Sequence, residues 1–202
     1  MSNILVNTGR RVLILCAFLI PIVASAEYVL VNDNIINDKV VQKIESLGSE
    51  LYDNSGIGVY ISLPASLEKK SISKYENELA STLKKPYVLL TLAKNEEQVD
   101  IVFSEGLEDN FDKDAILSPF PWSGTIIPIL AVKKENDKYN AAALNGYADI
   151  VEQIAASKGV VLKGALGNVN RDIYHYLKIG IYGFLLVLFA RYFYRKVSTK
   201  ND

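Results

Sequence analysis

Residues 28–157 alternate between two hydrophobic patterns, one with helical spacing and one with short continuous runs. Apolar residues at helical spacing predict a first helix over residues 39–53, and either Asn37 or Asp38 is suited to cap it. A second helix is predicted over residues 73–83, again after a serine that can cap it.

The continuous apolar runs are typical of buried strands. Strands are predicted at residues 28–31, 58–63, 87–93 and 99–103. The last two are separated by a short polar turn and should pair as a hairpin, and helical segments follow at about 125–132 and 138–157. The β-α-β-α-β-β-α-α order predicts an α/β fold, a three-layer α/β/α sandwich with the sheet between helical layers.

The first 26 residues have the pattern of an export signal. Arg10 and Arg11 supply positive charge, residues 12–20 form an apolar core, and residues 24–26 are the small residues of a cleavage site. The mature chain is therefore expected to begin at Glu27. An uncleaved signal anchor is the alternative interpretation, because cleavage sites are weakly encoded.

Residues 174–194 are predicted to form a transmembrane helix. Its uncharged core is flanked by Lys178 and Arg191, whose long side chains can reach the interface, and with these flanks it approaches the roughly 20 residues that cross a bilayer. The basic residues after the helix place the tail in the cytoplasm and the preceding domain outside. A buried core helix is the alternative, because the uncharged stretch is short.

These segments give a single-pass organisation around one domain. The predicted parts are a signal peptide (1–26), an α/β ectodomain (27–157), a linker (158–173), a transmembrane helix (174–194) and a cytoplasmic basic tail (195–202). The expected location is the inner (cytoplasmic) membrane, with the ectodomain in the periplasm or extracytoplasmic space.

Charge and composition exclude several kinds of chemistry for the predicted ectodomain. Acidic residues outnumber basic ones between Glu27 and Arg171, so nucleic acid is not an expected partner. The chain has one cysteine, Cys16, inside the signal, and one histidine, His175, at the membrane edge. Ser-His and Cys-His catalysis and the usual zinc sites are therefore not expected, and no organic cofactor is expected.

A cluster of carboxylates follows the fourth predicted strand. Its members are Glu105, Glu108, Asp109, Asp112 and Asp114. Oxygen-rich loops suit Ca²⁺ or Mg²⁺, so this loop is the predicted metal site, although its spacing is not that of an EF-hand. The alternative is a solvated turn in which Asp112 or Asp114 caps the next helix.

Aromatic residues beside prolines follow the acidic loop at residues 118–122. Phe120 and Trp122 are predicted to bind a partner, because exposed aromatic side chains often anchor interfaces. The alternative is that they cover the end of the sheet.

Several short motifs occur in an order that resembles the TPM domain, a module of membrane-anchored envelope and thylakoid proteins. They are residues 31–33 before the first helix, the strand 58–63 leading to 71–75, the strand 88–93, and then 106–108, 126–128 and 137–139. The resemblance covers residues 31–156, nearly the whole ectodomain. It implies the family's α/β fold, divalent-metal binding and acid phosphatase activity, with the acidic loop as the site.

The chain departs from that family at its glycine-rich turn, where residues 102–106 keep only Gly106, and it lacks the family's "wgiG" run. Lys113 is the only basic residue in the acidic loop. The favoured hypothesis is therefore a binding or assembly module for an envelope or inner-membrane protein, with its metal dependence left open. A metal-dependent phosphatase that uses the loop carboxylates is the alternative, and a structural ectodomain without a ligand is the third hypothesis.

Overall fold

The computed structural model describes residues 27–132, 137–167 and 179–191. The predicted signal peptide and cytoplasmic tail lie outside these residues. The described elements are β1 (Val29–Asn32), α1 (Asp38–Ser55), β2 (Gly58–Leu63), α2 (Ile72–Ala80), β3 (Tyr87–Ala93), β4 (Gln98–Phe103), α3 (Lys113–Ile116), α4 (Ile127–Leu130) and α5 (Lys138–Ser157).

The mixed α/β fold predicted from the sequence is confirmed. In the described part of the chain, four strands form one sheet in the order β1-β2-β3-β4. β1, β2 and β3 run parallel, and the predicted hairpin brings β4 antiparallel to β3. The parallel pairs are joined by α1 and α2, since a parallel connection needs a crossover of this length.

Capping residues decide where the crossover helices begin and end. The Asn37 side chain accepts a hydrogen bond from the Val40 amide at 3.1 Å, so Asn37 caps α1. Gly56 ends that helix with φ of +71°, a backbone conformation that glycine adopts without a steric penalty. Ser71 caps α2 by accepting from the Lys74 amide at 3.3 Å.

Two predictions about helices need correction. The predicted helix at 125–132 is a single turn, α4, with Pro128 near its start, and the loop after β4 contains a further short helix, α3, that hydrophobic periodicity did not reveal. A helix of one turn is too short to show a repeat, so its pattern resembles that of a loop. The predicted helix at 73–83 ends earlier, at Ala80.

The main core lies between the sheet and the pair of helices α1 and α5. Alternate residues of β2 and β3, including Val59 and Leu90, point into it and are fully buried. Tyr147 of α5 is also fully buried, and its hydroxyl donates a hydrogen bond to the Val59 carbonyl oxygen at 2.8 Å. α1 approaches this point closely, because any Cβ at Gly48 would overlap the Tyr147 hydroxyl.

Helix α2 contacts the other face of the sheet, on β3 and β4. The residues of β2 and β3 on that face include Ser62, Leu89 and Thr91, which are also fully buried. Both central strands are therefore covered on two sides, and this explains why each is a nearly continuous apolar run in the sequence.

The chain after α5 stays attached to the domain as far as residue 167. The Glu50 carboxylate of α1 accepts hydrogen bonds from the amides of Lys163 and Gly164 at 2.5 and 3.1 Å. The Glu152 carboxylate of α5 accepts from the amides of Leu166 and Gly167 at 2.6 and 3.0 Å. The described part of the predicted linker therefore lies along α1 and α5.

Residues 179–191 are helical, and all of their side chains are exposed. Among the helices that the described residues form, none combines the length and the apolar character needed to span a bilayer. The predicted transmembrane helix extends beyond the described residues at both ends and stays a prediction.

Replacing Tyr147 with phenylalanine should destabilise the domain by about 1–3 kcal/mol, because the Val59 carbonyl would lose its partner in the core. Chemical denaturation monitored by circular dichroism would measure the change in the free energy of unfolding. Tyr182→Phe is the matched control, since Tyr182 is 65% exposed and should be nearly neutral. Equal stabilities of the two variants would show that the hydroxyl of Tyr147 contributes nothing.

Candidate functional site

A cleft of about 440 Å³ lies between the loop that follows β4 and the C-terminal half of α5. Its lining residues are Asp109, Asn110, Phe111, Asp112, Ala115, Ser123, Asp149, Gln153 and Ala156. Carboxylates and amides are the main polar groups of this lining. The cleft is therefore the place where part of the predicted acidic loop meets a second element of the fold.

Two apolar side chains fix the conformation of the loop. Leu107 and Phe111 are buried in the core, and the Phe111 ring packs edge-on against Phe103 at 5.2 Å between centroids. The start of the loop is held by Ser104, whose hydroxyl accepts a hydrogen bond from the Tyr87 amide at 3.0 Å. With these side chains inside, the intervening carboxylates must face solvent.

Polar contacts join the end of the loop to α5. The Gln153 side-chain oxygen accepts a hydrogen bond from the Asp112 amide at 2.9 Å, and the Asn110 amide group donates to the Ser157 hydroxyl at 2.8 Å. Gln153 also donates to the Asp149 carboxylate at 3.0 Å. Gln153 therefore links the loop to the buried carboxyl group of α5.

Asp149 is the lining carboxylate that the sequence analysis missed. It is 4% exposed, although it lies in the apolar part of α5 between Ala148 and Ile150. The sequence did contain one indication of this site: an aspartate within an apolar helical stretch. A carboxylate in such a position is rarely buried without polar partners, so it points to polar groups nearby. Because Asp149 is far from the acidic loop in sequence, the sequence alone did not show that the two lie close together in the fold.

The predicted metal residues do not share one location. All of them are exposed, but only Asp109 and Asp112 line the cleft. Glu108 folds back on its own loop and accepts hydrogen bonds from the Gly106 amide at 2.9 and 3.1 Å. Glu105 and Asp114 are not part of the cleft lining.

One alternative from the sequence is confirmed at Asp112. Its carboxylate accepts a hydrogen bond from the Ala115 amide at 2.8 Å and so caps α3. This bond occupies Oδ1 and fixes the direction of the side chain. Asp112 is therefore a capping residue that also lines the cleft.

The described residues contain no group of three or more His, Cys, Asp or Glu side chains placed to hold one metal ion. The lining has the ligand type that hard cations prefer, namely carboxylate and amide oxygens. It is not a ready-made centre, however, because the described carboxylates are not gathered into one ligand group. Metal binding at this loop stays a prediction.

Lys113 does not bring positive charge to the cleft. Its ammonium group lies 2.7 Å from the Asp100 carboxylate and donates a hydrogen bond to the Ile101 carbonyl oxygen at 2.6 Å, so it points to β4. None of the residues that line the cleft in the described structure is basic. The lining is therefore acidic.

Phe120 and Trp122 form a stacked pair beside the cleft. Their ring centroids are 4.9 Å apart with an interplanar angle of 14°, and each residue is 53% exposed. The Ser123 amide, at the edge of the cleft lining, donates to the Phe120 carbonyl oxygen at 3.1 Å. Both aromatic residues are therefore about half exposed, and they are joined to the cleft through Ser123.

A comparison with protein families gives a match over most of this domain. A family model described as TPM domain matches residues 29–153. The match spans β1 to β4, the acidic loop and most of α5, and it covers more than half of the chain. A comparison with curated proteins finds no match. The chain therefore belongs to the TPM domain family.

Proposed function

We propose that this TPM domain is a membrane-tethered binding or assembly module of the cell envelope. The partner surface comprises Asp109, Asp112, Asp149, Phe120 and Trp122, and we call it the cleft surface. The observation that carries the proposal is an acidic cleft without basic lining residues, joined through Ser123 of its lining to a half-exposed aromatic pair. The partner would be another protein of the envelope or inner membrane.

The chemistry of the cleft surface favours a cationic partner segment. Its carboxylates attract lysine and arginine side chains, and the faces of Phe120 and Trp122 can receive such cations through cation–π contacts. Large, rigid aromatic side chains also contribute strongly when they become buried at an interface. A basic, extended segment of a partner protein would satisfy both parts of the surface.

A tether would make modest affinity sufficient. Two proteins held in the same membrane meet at a high effective concentration, so the cleft surface would not need a tight intrinsic complex. The proposed tether is the helix around residues 179–191, whose exposed apolar side chains suit a lipid environment.

We further propose that a divalent cation binds weakly at the cleft. Asp109, Asp112 and Asp149 are the residues that would hold it, since they are the carboxylates of the lining. Like charges in one cleft repel each other, and a bound Ca²⁺ or Mg²⁺ would relieve that repulsion. Weak binding is expected because the carboxylates are not gathered into one centre.

A metal-dependent phosphatase is the alternative function. Phosphate transfer develops negative charge that an active site must offset with positive groups, and Lys113 is directed to Asp100 instead. The acidic lining therefore favours binding over phosphate hydrolysis. Metal-dependent turnover of phosphate esters that is lost in Asp112→Asn would favour the phosphatase.

The proposed topology can be tested with a reporter that is active only in the cytoplasm. Fused after Asp202 it should be active, and fused after Ala155 it should be inactive, because export would carry that residue outside. Deleting residues 1–26 from the Ala155 fusion should restore activity. Activity of the Ala155 fusion with the signal present would contradict the topology.

The cleft surface can be tested through Trp122, the only tryptophan of the chain. Its fluorescence in the purified full-length protein should change on addition of CaCl₂ and, separately, of a lysine-rich peptide at low salt. Replacing Asp109 and Asp112 together with asparagine should weaken both responses about tenfold or more, since two attracting charges are lost. Asparagine also caps helices, so α3 should persist.

Glu68→Gln is the matched control, because Glu68 is exposed and lies outside the cleft lining. The Glu68→Gln variant should show both fluorescence responses at the wild-type level. A glutamate-rich peptide of equal length should cause no change in fluorescence. Equal peptide binding by the wild type and the Asp109/Asp112 variant would reject the cleft surface as the partner site. A lost peptide response with an unchanged calcium response would reject only the cation site.

A further inference from the structure

A row of polar side chains crosses the face of the sheet beneath α2. The strand register pairs Ser62 with Thr91 and Thr91 with Asp100, so the three residues share one face. The Ser62 hydroxyl is hydrogen-bonded to the Tyr75 hydroxyl at 2.8 Å, and Asp100 is paired with Lys113 at 2.7 Å. Within the described chain, the Thr91 hydroxyl in the middle of the row makes no hydrogen bond.

Glu76 of α2 lies near this unpaired centre. It is 0% exposed and is the only fully buried residue of α2. Neither of its carboxyl oxygens has a hydrogen-bond partner among the described residues. An ionised carboxylate is disfavoured in such surroundings, so burial favours the neutral form of the Glu76 side chain.

The charged groups around Glu76 do not supply a counterion. Burial raises the pKa of Glu76 to about 7, and Asp100 on β4 adds to the rise. The Thr91 hydroxyl, which is near Glu76 but forms no hydrogen bond of good geometry with it, and Lys113 lower this pKa. Lys113 already pairs with Asp100, and Thr91, the neighbour on β3, is uncharged. Glu78, two residues further along α2, pairs with Lys70 at the surface.

Helix α2 is attached to the sheet by few contacts. It has nine residues, and apart from Glu76 its side chains are half-buried or exposed. A short helix with little buried apolar area opens at low free-energy cost. Its opening would expose Leu89, Thr91 and Ser62, which are fully buried in the closed arrangement.

We propose that Glu76 is a protonation-dependent latch: α2 packs on the sheet most stably while the Glu76 carboxyl group is neutral, and ionisation favours release of the helix, which opens the face beneath. When α2 opens, water hydrates the Glu76 carboxylate. In the closed arrangement no described neighbour forms a hydrogen bond that would take the place of this hydration. The row beneath α2 would then become accessible as pH rises. This device is independent of the cleft surface, which lies at α5 and the acidic loop.

The direction of the pH dependence follows from the pKa difference. Glu76 has a pKa of about 7 when buried, against an ordinary value of 4.5 when exposed. The closed state therefore binds more protons between these values, so closure is most stable at low pH and is weakened as pH rises toward 7. Above pH 7 both states are ionised, and the dependence should level off.

Amide hydrogen exchange of the full-length protein between about pH 5 and pH 8.5 tests the latch, after correction for the intrinsic exchange rate. The opening constant of α2 should rise about tenfold per pH unit between pH 5 and pH 7 and then flatten. Glu76→Gln should remove this dependence, because the amide cannot ionise. Glu78→Gln, an exposed change on the same helix, should keep the wild-type profile.

The wild-type protein provides a second measurement that does not depend on a variant folding. The carbon-13 chemical shift of the Glu76 carboxyl group should titrate with a midpoint near pH 7. A midpoint near 4.5 would overturn the proposal. Equal protection of α2 at pH 5 and pH 8, or the same pH profile in Glu76→Gln and the wild type, would also overturn it.

Discussion

The hydrogen bond from the Tyr147 hydroxyl to the Val59 carbonyl oxygen sets the position of α5 on the sheet. Both groups are fully buried, and α1 closes over them at Gly48, where no side chain would fit. Asp149 and Gln153 follow on the same helix, so the wall of the cleft is fixed by this contact. The acidic loop then reaches that wall through the bond between Gln153 and the Asp112 amide.

The two faces of the sheet differ in how they are covered. Helices α1 and α5 cover one face with a large apolar core, whereas the short helix α2 covers the other over a row of polar side chains. Burying polar groups costs free energy unless they are paired, and the ends of the row are paired while its centre is not. The face covered by α1 and α5 therefore has the larger apolar core and supports the cleft. The face covered by α2 is the one proposed to respond to protonation.

Sequence patterns predicted the elements that bury continuous apolar surface. β2 and β3 were predicted with the observed bounds, because strands covered on both faces read as unbroken apolar runs. The helix predicted at 125–132 is only the single turn of α4, and α3 was not predicted, since four residues cannot show a helical repeat. Long helices and strands can thus be predicted from the local sequence pattern, whereas the formation of the one-turn helices depends on tertiary contacts.

The candidate site was predicted only in part, for a physical reason. The clustering of acidic residues in sequence did not show which carboxylates would meet, because the burial of Leu107 and Phe111 decides the path of the loop. Asp149 comes from a distant helix, and its role appears only when α5 has packed on the sheet. Glu76 was likewise hidden, since a glutamate in a short amphipathic helix is usually exposed.

In the proposed function, the loop and α5 together form the surface that receives a cationic partner. Nuclear magnetic resonance mapping of the full-length protein with a lysine-rich peptide tests this role, because each backbone amide reports separately. Shifts should concentrate at residues 109–112, 118–123 and 149–156, with β1 and α2 unaffected. Shifts confined to other regions, or none at the Trp122 indole, would contradict the claim.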